Sequence, residues 1–141
     1  MLGYGPLDCL PRCMDRYRPL RLAGLAVLLA TTSAGAAVTE IAFGADGVQE
    51  QAFSVGPAGL HEVCGKLAAG TRVRWRFESD QPTDFNIHHH VGKDVFFAAQ
   101  EKGSRGTEGR FEARETQDYC WMWSRKPAPP AAVRLWLKRE R

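Results

Sequence analysis

In Thr71-Arg72-Val73-Arg74-Trp75-Arg76-Phe77-Glu78 every second residue is apolar. Side chains along a strand point to opposite faces in turn, so Val73, Trp75 and Phe77 share one face and Arg72, Arg74, Arg76 and Glu78 the other. That is a half-buried antiparallel strand, and an α-helix could not keep this pattern on one side. The same alternation recurs in Val38 to Phe43, Gln51 to Val55, Asp84 to Val91, Gln117 to Trp123 and Ala131 to Lys138. Val95 to Ala99 and Gly109 to Ala113 add two short runs. Leu60 to Leu67 fits a strand or a short helical turn. No segment carries helical spacing long enough to pack on a sheet. The turn signals are Gly44 to Gly47, Gly56-Pro57, Ser79 to Thr83, Gly92 to Asp94 and Lys126 to Pro130. The polar, glycine-punctuated stretch from Gln100 to Gly109 reads as a loop and as the mobile segment of the chain. The expectation is an all-β protein, an antiparallel β-sandwich of seven or eight short strands with one disulfide.

Residues 1 to 37 stand apart from that pattern. Arg16, Arg18 and Arg21 precede the apolar run Leu22 to Ala30, and small residues follow to Ala36 and Ala37. This is the order of a secretory signal peptide, cut after Ala36 or Ala37, with Met14 a more natural start than Met1. The run is too short for a permanent membrane span. The remaining residues, 38 to 141, form one domain whose expected place is the periplasm or the exterior. Of the 19 Lys and Arg and 16 Asp and Glu in the chain, the leader holds Arg12, Arg16, Arg18, Arg21, Asp8 and Asp15. The domain is therefore close to neutral, which gives no argument for nucleic acid. Its two cysteines, Cys64 and Cys120, read as a disulfide in an exported domain of this size. Such a bridge would close a loop of about 57 residues.

Three of the four histidines are consecutive, His88-His89-His90. In a strand, His88 and His90 point the same way with Cα atoms about 6.5 to 7 Å apart, near enough to share one ion. Phe85, Ile87, His89 and Val91 are read as the inward set, and Asp84 and Asn86 share the outward face with the histidine pair. The expected site is an exchangeable surface centre for copper or zinc at His88 and His90, aided by Asp84, Asn86 or His61. The alternative is a solvated strand with no metal. Tyr119, Trp121 and Trp123 also share one strand face. With Cys120 and Met122 taken as inward, the three aromatics become a surface that could hold a protein partner, or else a second buried layer. Arg72, Arg74 and Arg76 form an outward basic stripe that Arg134 and Lys138 extend if the last strand lies alongside.

Cys64 with Leu67 and Gly70, Trp75-Arg76-Phe77, Asp84 to Ile87, Gly109 to Ala113 and Tyr119-Cys120-Trp121-Met122-Trp123 together resemble a GOLD domain, the β-sandwich module of secretory-cargo receptors. The resemblance implies a bridge between Cys64 and Cys120 and contacts with a protein or a lipid headgroup. Asn86-Ile87-His88 is similar, more loosely, to a strand of cupredoxin-type sandwiches. With no histidine beyond His90, their two-histidine, one-cysteine copper centre cannot be assembled here. No nucleophile elbow, phosphate-cradling loop or His-Glu-x-x-His motif is present. The reading is a non-catalytic binding protein, holding a transition metal or, alternatively, a protein partner without metal.

Overall fold

The computed structural model of the chain describes residues 35–126 and 128–141, within the unit Thr32–Arg141. The expected leader lies outside them except at its last three residues. Among the described residues seven strands form: β1 Ala36–Glu40, β2 Val48–Val55, β3 Leu60–Leu67, β4 Arg72–Val91, β5 Asp94–Glu112, β6 Gln117–Ser124 and β7 Ala131–Arg139. No helix occurs among the described residues.

The all-β expectation holds, with a difference in how the strands are joined. Ser79 to Thr83, expected as a turn between two strands, is a bend within the single 20-residue strand β4. Before the bend β4 pairs with β7, Val73 opposite Arg139 through Ser79 opposite Val133. Beyond it β4 pairs with β6, Asp84 opposite Ser124 through His89 opposite Tyr119. Side chains hold the bend: Asp80 Oδ1 accepts the Ala132 N–H at 2.8 Å, Ser79 Oγ donates to the Gln81 carbonyl at 2.7 Å, and Arg125 donates to the Pro82 carbonyl. β5 follows β4 along its other edge through both halves. The strand order is β1-β3-β6-β4-β7-β2, with β5 on β4. Because two long strands run through both halves, the sheet is a curled half-barrel rather than two separate packed sheets.

Gln100 to Gly109, expected as a loop, belongs to the 19-residue strand β5. Its glycines mark close approach more than chain reversal. A Cβ on Gly109 would lie 2.7 Å from Trp75 Cζ2, and one on Gly106 would lie 2.9 Å from the Phe77 carbonyl oxygen. Glycine is what lets β5 lie against the bulky residues of β4. Gly103, with φ near +61°, sits where the pairing shifts between Thr83 and Phe85. The expected reversal at Gly92 is present: Gly92 has φ of 62°, and Gly92-Lys93 joins Val91 to its partner Asp94.

The core lies inside the curl. Val73, Trp75 and Phe77 come from the first half of β4, Phe85 and Ile87 from the second, Val63 from β3, Trp121 and Trp123 from β6, and Val133, Leu135 and Leu137 from β7. Phe85 joins the two halves, its ring centroid 5.0 Å from Trp75 and 5.2 Å from Trp123. The outward arginines of β4 are exposed as expected and continue onto β7, with Arg74 opposite Lys138 and Glu78 opposite Arg134. Arg72 pairs with Glu112 at 3.0 Å, and Arg74 and Arg110 both approach Glu140, at 3.7 and 3.8 Å.

The cysteines form the expected disulfide, Cys64–Cys120. They stand directly opposite each other on the adjacent strands β3 and β6. A bridge between neighbouring strands of one sheet needs no core position, and this one lies on the outer face. Tyr119, Trp121 and Trp123 are accordingly the inward set of β6, at 3%, 0% and 0% exposure. The expectation that they form an interaction face is corrected, and of its two alternatives the buried layer holds. Cys120 and Met122, taken as inward, are the pair on the outer face.

Candidate functional site

Two neighbouring features gather the chemically capable side chains. On the outer face, the register sets Cys64, Cys120, His88 and Phe97 in one row across β3, β6, β4 and β5. Glu62, Met122, Asn86 and Gln100 form the next row. His88, expected at the surface, is only 4% exposed. An outward-facing residue becomes buried here because its row-mates on both sides are bulky: the disulfide on one flank and the Phe97 ring, 6.1 Å away, on the other. His88 Nδ1 lies 2.8 Å from Asn86 Oδ1, and Nε2 lies 3.9 Å from Glu62 Oε1. Burial lowers the pKa of His88 below its ordinary 6.5; the Glu62 carboxylate opposes that shift and the neighbouring histidines add to it.

The expected metal ligands are not gathered as the sequence suggested. His90 is exposed, its ring 5.1 Å from that of His88. Asn86 is spent on orienting His88. Asp84 accepts the Gly103 N–H at 2.9 Å. His61 lies on the core face of the sheet, opposite Trp123, stacked on Phe53 with centroids 3.8 Å apart and Nε2 3.3 Å from Thr39 Oγ1. The thickness of the sheet separates it from His88, so His61 as a partner of the His88 and His90 pair is corrected. Sequence reasoning missed Glu62. The signal was present, since Glu62 lies two residues before Cys64 in a strand and must share the face of the disulfide.

The pKa of His61 is also lowered by burial, against the pull of Glu62. Because folding holds both imidazoles below 6.5, the unfolded chain binds their protons more tightly, and acid favours unfolding. Their contribution is therefore complete above about 6.5 and is lost as pH falls below it. Denaturant midpoints of metal-free protein should fall between about pH 7.5 and 5, with a shallower fall in His88→Asn. A midpoint that does not move over that range contradicts the burial of these rings.

The second feature is the tip of the β4–β5 hairpin. β6 stops pairing with β4 at His89, so residues 90 to 95 extend past it with no strand on that side, and Phe96 and Phe97 lie at the base of this tip, opposite His89 and His88. Val91, Val95, Phe96 and Phe97 are 45%, 41%, 49% and 52% exposed. Phe96 stacks on His89 at 5.3 Å, and His89 in turn meets Tyr119 at 5.0 Å. The pairing shifts between Ile87 and His88, leaving Ala98 as the extra residue of β5. Such a bulge twists the strand locally. A groove of ≈ 470 Å³ runs under the tip, lined among others by His89, Phe96, Phe111, Arg114 and Tyr119.

No protein-family model matches the sequence, and no curated protein matches it either. Solved structures do share the fold. PliG of Aeromonas hydrophila, a periplasmic inhibitor of g-type lysozyme, superposes with a TM-score of 0.61 at 10% identity, over 75% of this chain and 98% of that one. A mutant of the Escherichia coli PliG, an inhibitor of the same kind, gives 0.55 at 9% identity, over 76% and 100%. The pre-peptidase C-terminal domain of a Bacillus anthracis collagenase gives 0.54 at 12%, over 72% and 94%. At these identities the likeness is one of fold. A β-rich fold with an internal disulfide is common ground with the GOLD expectation, while the likeness found here is to PliG inhibitors and other β-rich folds.

Proposed function

We propose that this chain is an exported, non-catalytic binding domain that holds a protein partner on the apolar tip of the β4–β5 hairpin. The observation that carries the reading is the contrast along β5. From Glu101 to Glu112 its outer edge is studded with Glu101, Lys102, Arg105, Glu108 and Arg110, the charges that keep an open edge from pairing with other chains. From Val95 to Ala99 that protection is missing, and two half-exposed phenylalanines stand in its place. Exposed aromatics on the two faces of one hairpin suit a partner that grips it from both sides, because aromatic anchors supply much of the energy of protein interfaces. The disulfide fits an oxidising compartment. The fold shared with periplasmic lysozyme inhibitors supports both the place and the non-catalytic role, and makes g-type lysozyme the first partner to test.

Calorimetry of tag-free protein against g-type lysozyme should show binding that Phe96→Ser with Phe97→Ser weakens by at least a hundredfold, or about 3 kcal/mol. Circular dichroism of the double variant should match wild type, since neither ring belongs to the core. Equal affinity in the double variant would remove the hairpin from the reading. Absence of any complex would remove g-type lysozyme.

A further inference from the structure

One ring nitrogen of His88 is committed and the other is free. Asn86 Oδ1 can only accept, so at 2.8 Å it places the proton on Nδ1 and leaves the lone pair on Nε2. Nε2 faces Glu62 Oε1 across 3.9 Å, a gap beyond hydrogen-bond reach. Two electron-rich atoms thus oppose each other at an imidazole whose side chain is only 5% exposed. An oxygen acceptor on the far nitrogen is also the device that fixes the tautomer and aim of metal-binding histidines.

We propose that His88 Nε2 and Glu62 Oε1 hold between them one divalent cation of the zinc or copper class, with water completing its shell. Bonds of about 2.0 to 2.2 Å would seat an ion in the present gap at an angle near 140°, and closure to about 3.4 Å would make the angle tetrahedral. Glu62, with 22% of its side chain exposed, has the freedom to move that far. Mixed imidazole and carboxylate donors favour zinc or copper over magnesium or calcium. Cys64 and Cys120 lie within 4.8 Å of the Glu62 carboxylate, but their sulfurs are bonded to each other, so Glu62 alone of that group offers a donor.

The test is a zinc titration of tag-free, disulfide-intact protein against a chromophoric chelator, with the histidine ring nitrogens followed by NMR. One equivalent should bind, move the Nε2 resonance of His88 and leave its Nδ1 proton in place. Glu62→Gln and His88→Gln should each weaken binding at least tenfold, while Asp84→Asn should match wild type. Glu62→Gln changes a partly exposed side chain outside the core, so loss of zinc there is not loss of fold. Zinc affinity unchanged in Glu62→Gln, zinc that perturbs only His89 and His90, or no stoichiometric zinc at all would each overturn the proposal. The docking reading stands apart from it, since Glu62→Gln leaves Phe96 and Phe97 untouched.

Discussion

Replacing Cys64 and Cys120 together by alanine is expected to lower the unfolding free energy by about 4 kcal/mol, the chain-entropy value for a loop of this length. The separation of 56 residues places the second half of β3, all of β4 and β5 and the first half of β6 inside the loop. Without the bridge, the unfolded chain regains the freedom of that whole span. A domain of this size has a net stability of about 5 to 15 kcal/mol, so the loss should appear as a melting point lower by on the order of 20 °C. Urea unfolding of the double variant beside the oxidised wild type measures it directly. A shift below about 1 kcal/mol would mean that the bridge contributes little to holding β3 on β6.

Trp121→Ala should cost a similar amount, about 3 to 5 kcal/mol, for a different reason. The indole has 0% exposure and packs edge-on against Phe111 at 5.3 Å. Its removal leaves a cavity among fully buried neighbours that cannot wholly collapse to fill it. Phe97→Ala, by contrast, removes a ring already half in water and should change stability by no more than about 0.5 kcal/mol. Equal losses in the two variants would contradict the division of aromatics into an inner layer and an exposed tip.

That division is where sequence and structure part. Alternation in residues 71 to 78 identified the strand and its faces correctly, because a half-buried strand writes its burial into every second residue. The last strand and the Gly92-Lys93 reversal were legible for equally local reasons. The disulfide was legible too, because two cysteines in such a domain leave one pairing. Its face was not legible, since a bridge between adjacent strands fits either side of a sheet. Reading Cys120 as inward therefore turned Tyr119, Trp121 and Trp123 outward. The glycines of β5 misled in the same way. Gly106 and Gly109 look like loop punctuation until Trp75 and the Phe77 backbone are seen pressing on them.

The candidate site divides along the same line. Sequence alone placed three histidines on one strand and set the alternation of their faces. It could not place Glu62 within 3.9 Å of His88 or send His61 to the other side of the sheet. Nor could it show that β6 ends where the hairpin begins to project. Local pattern determined that this chain forms strands, where most of them reverse and which cysteines join, because those outcomes depend on neighbours in sequence. Which strand lies beside which, and so which polar atoms meet and which aromatics stay in water, was decided only by the curl of the whole sheet, through contacts between residues far apart in the chain.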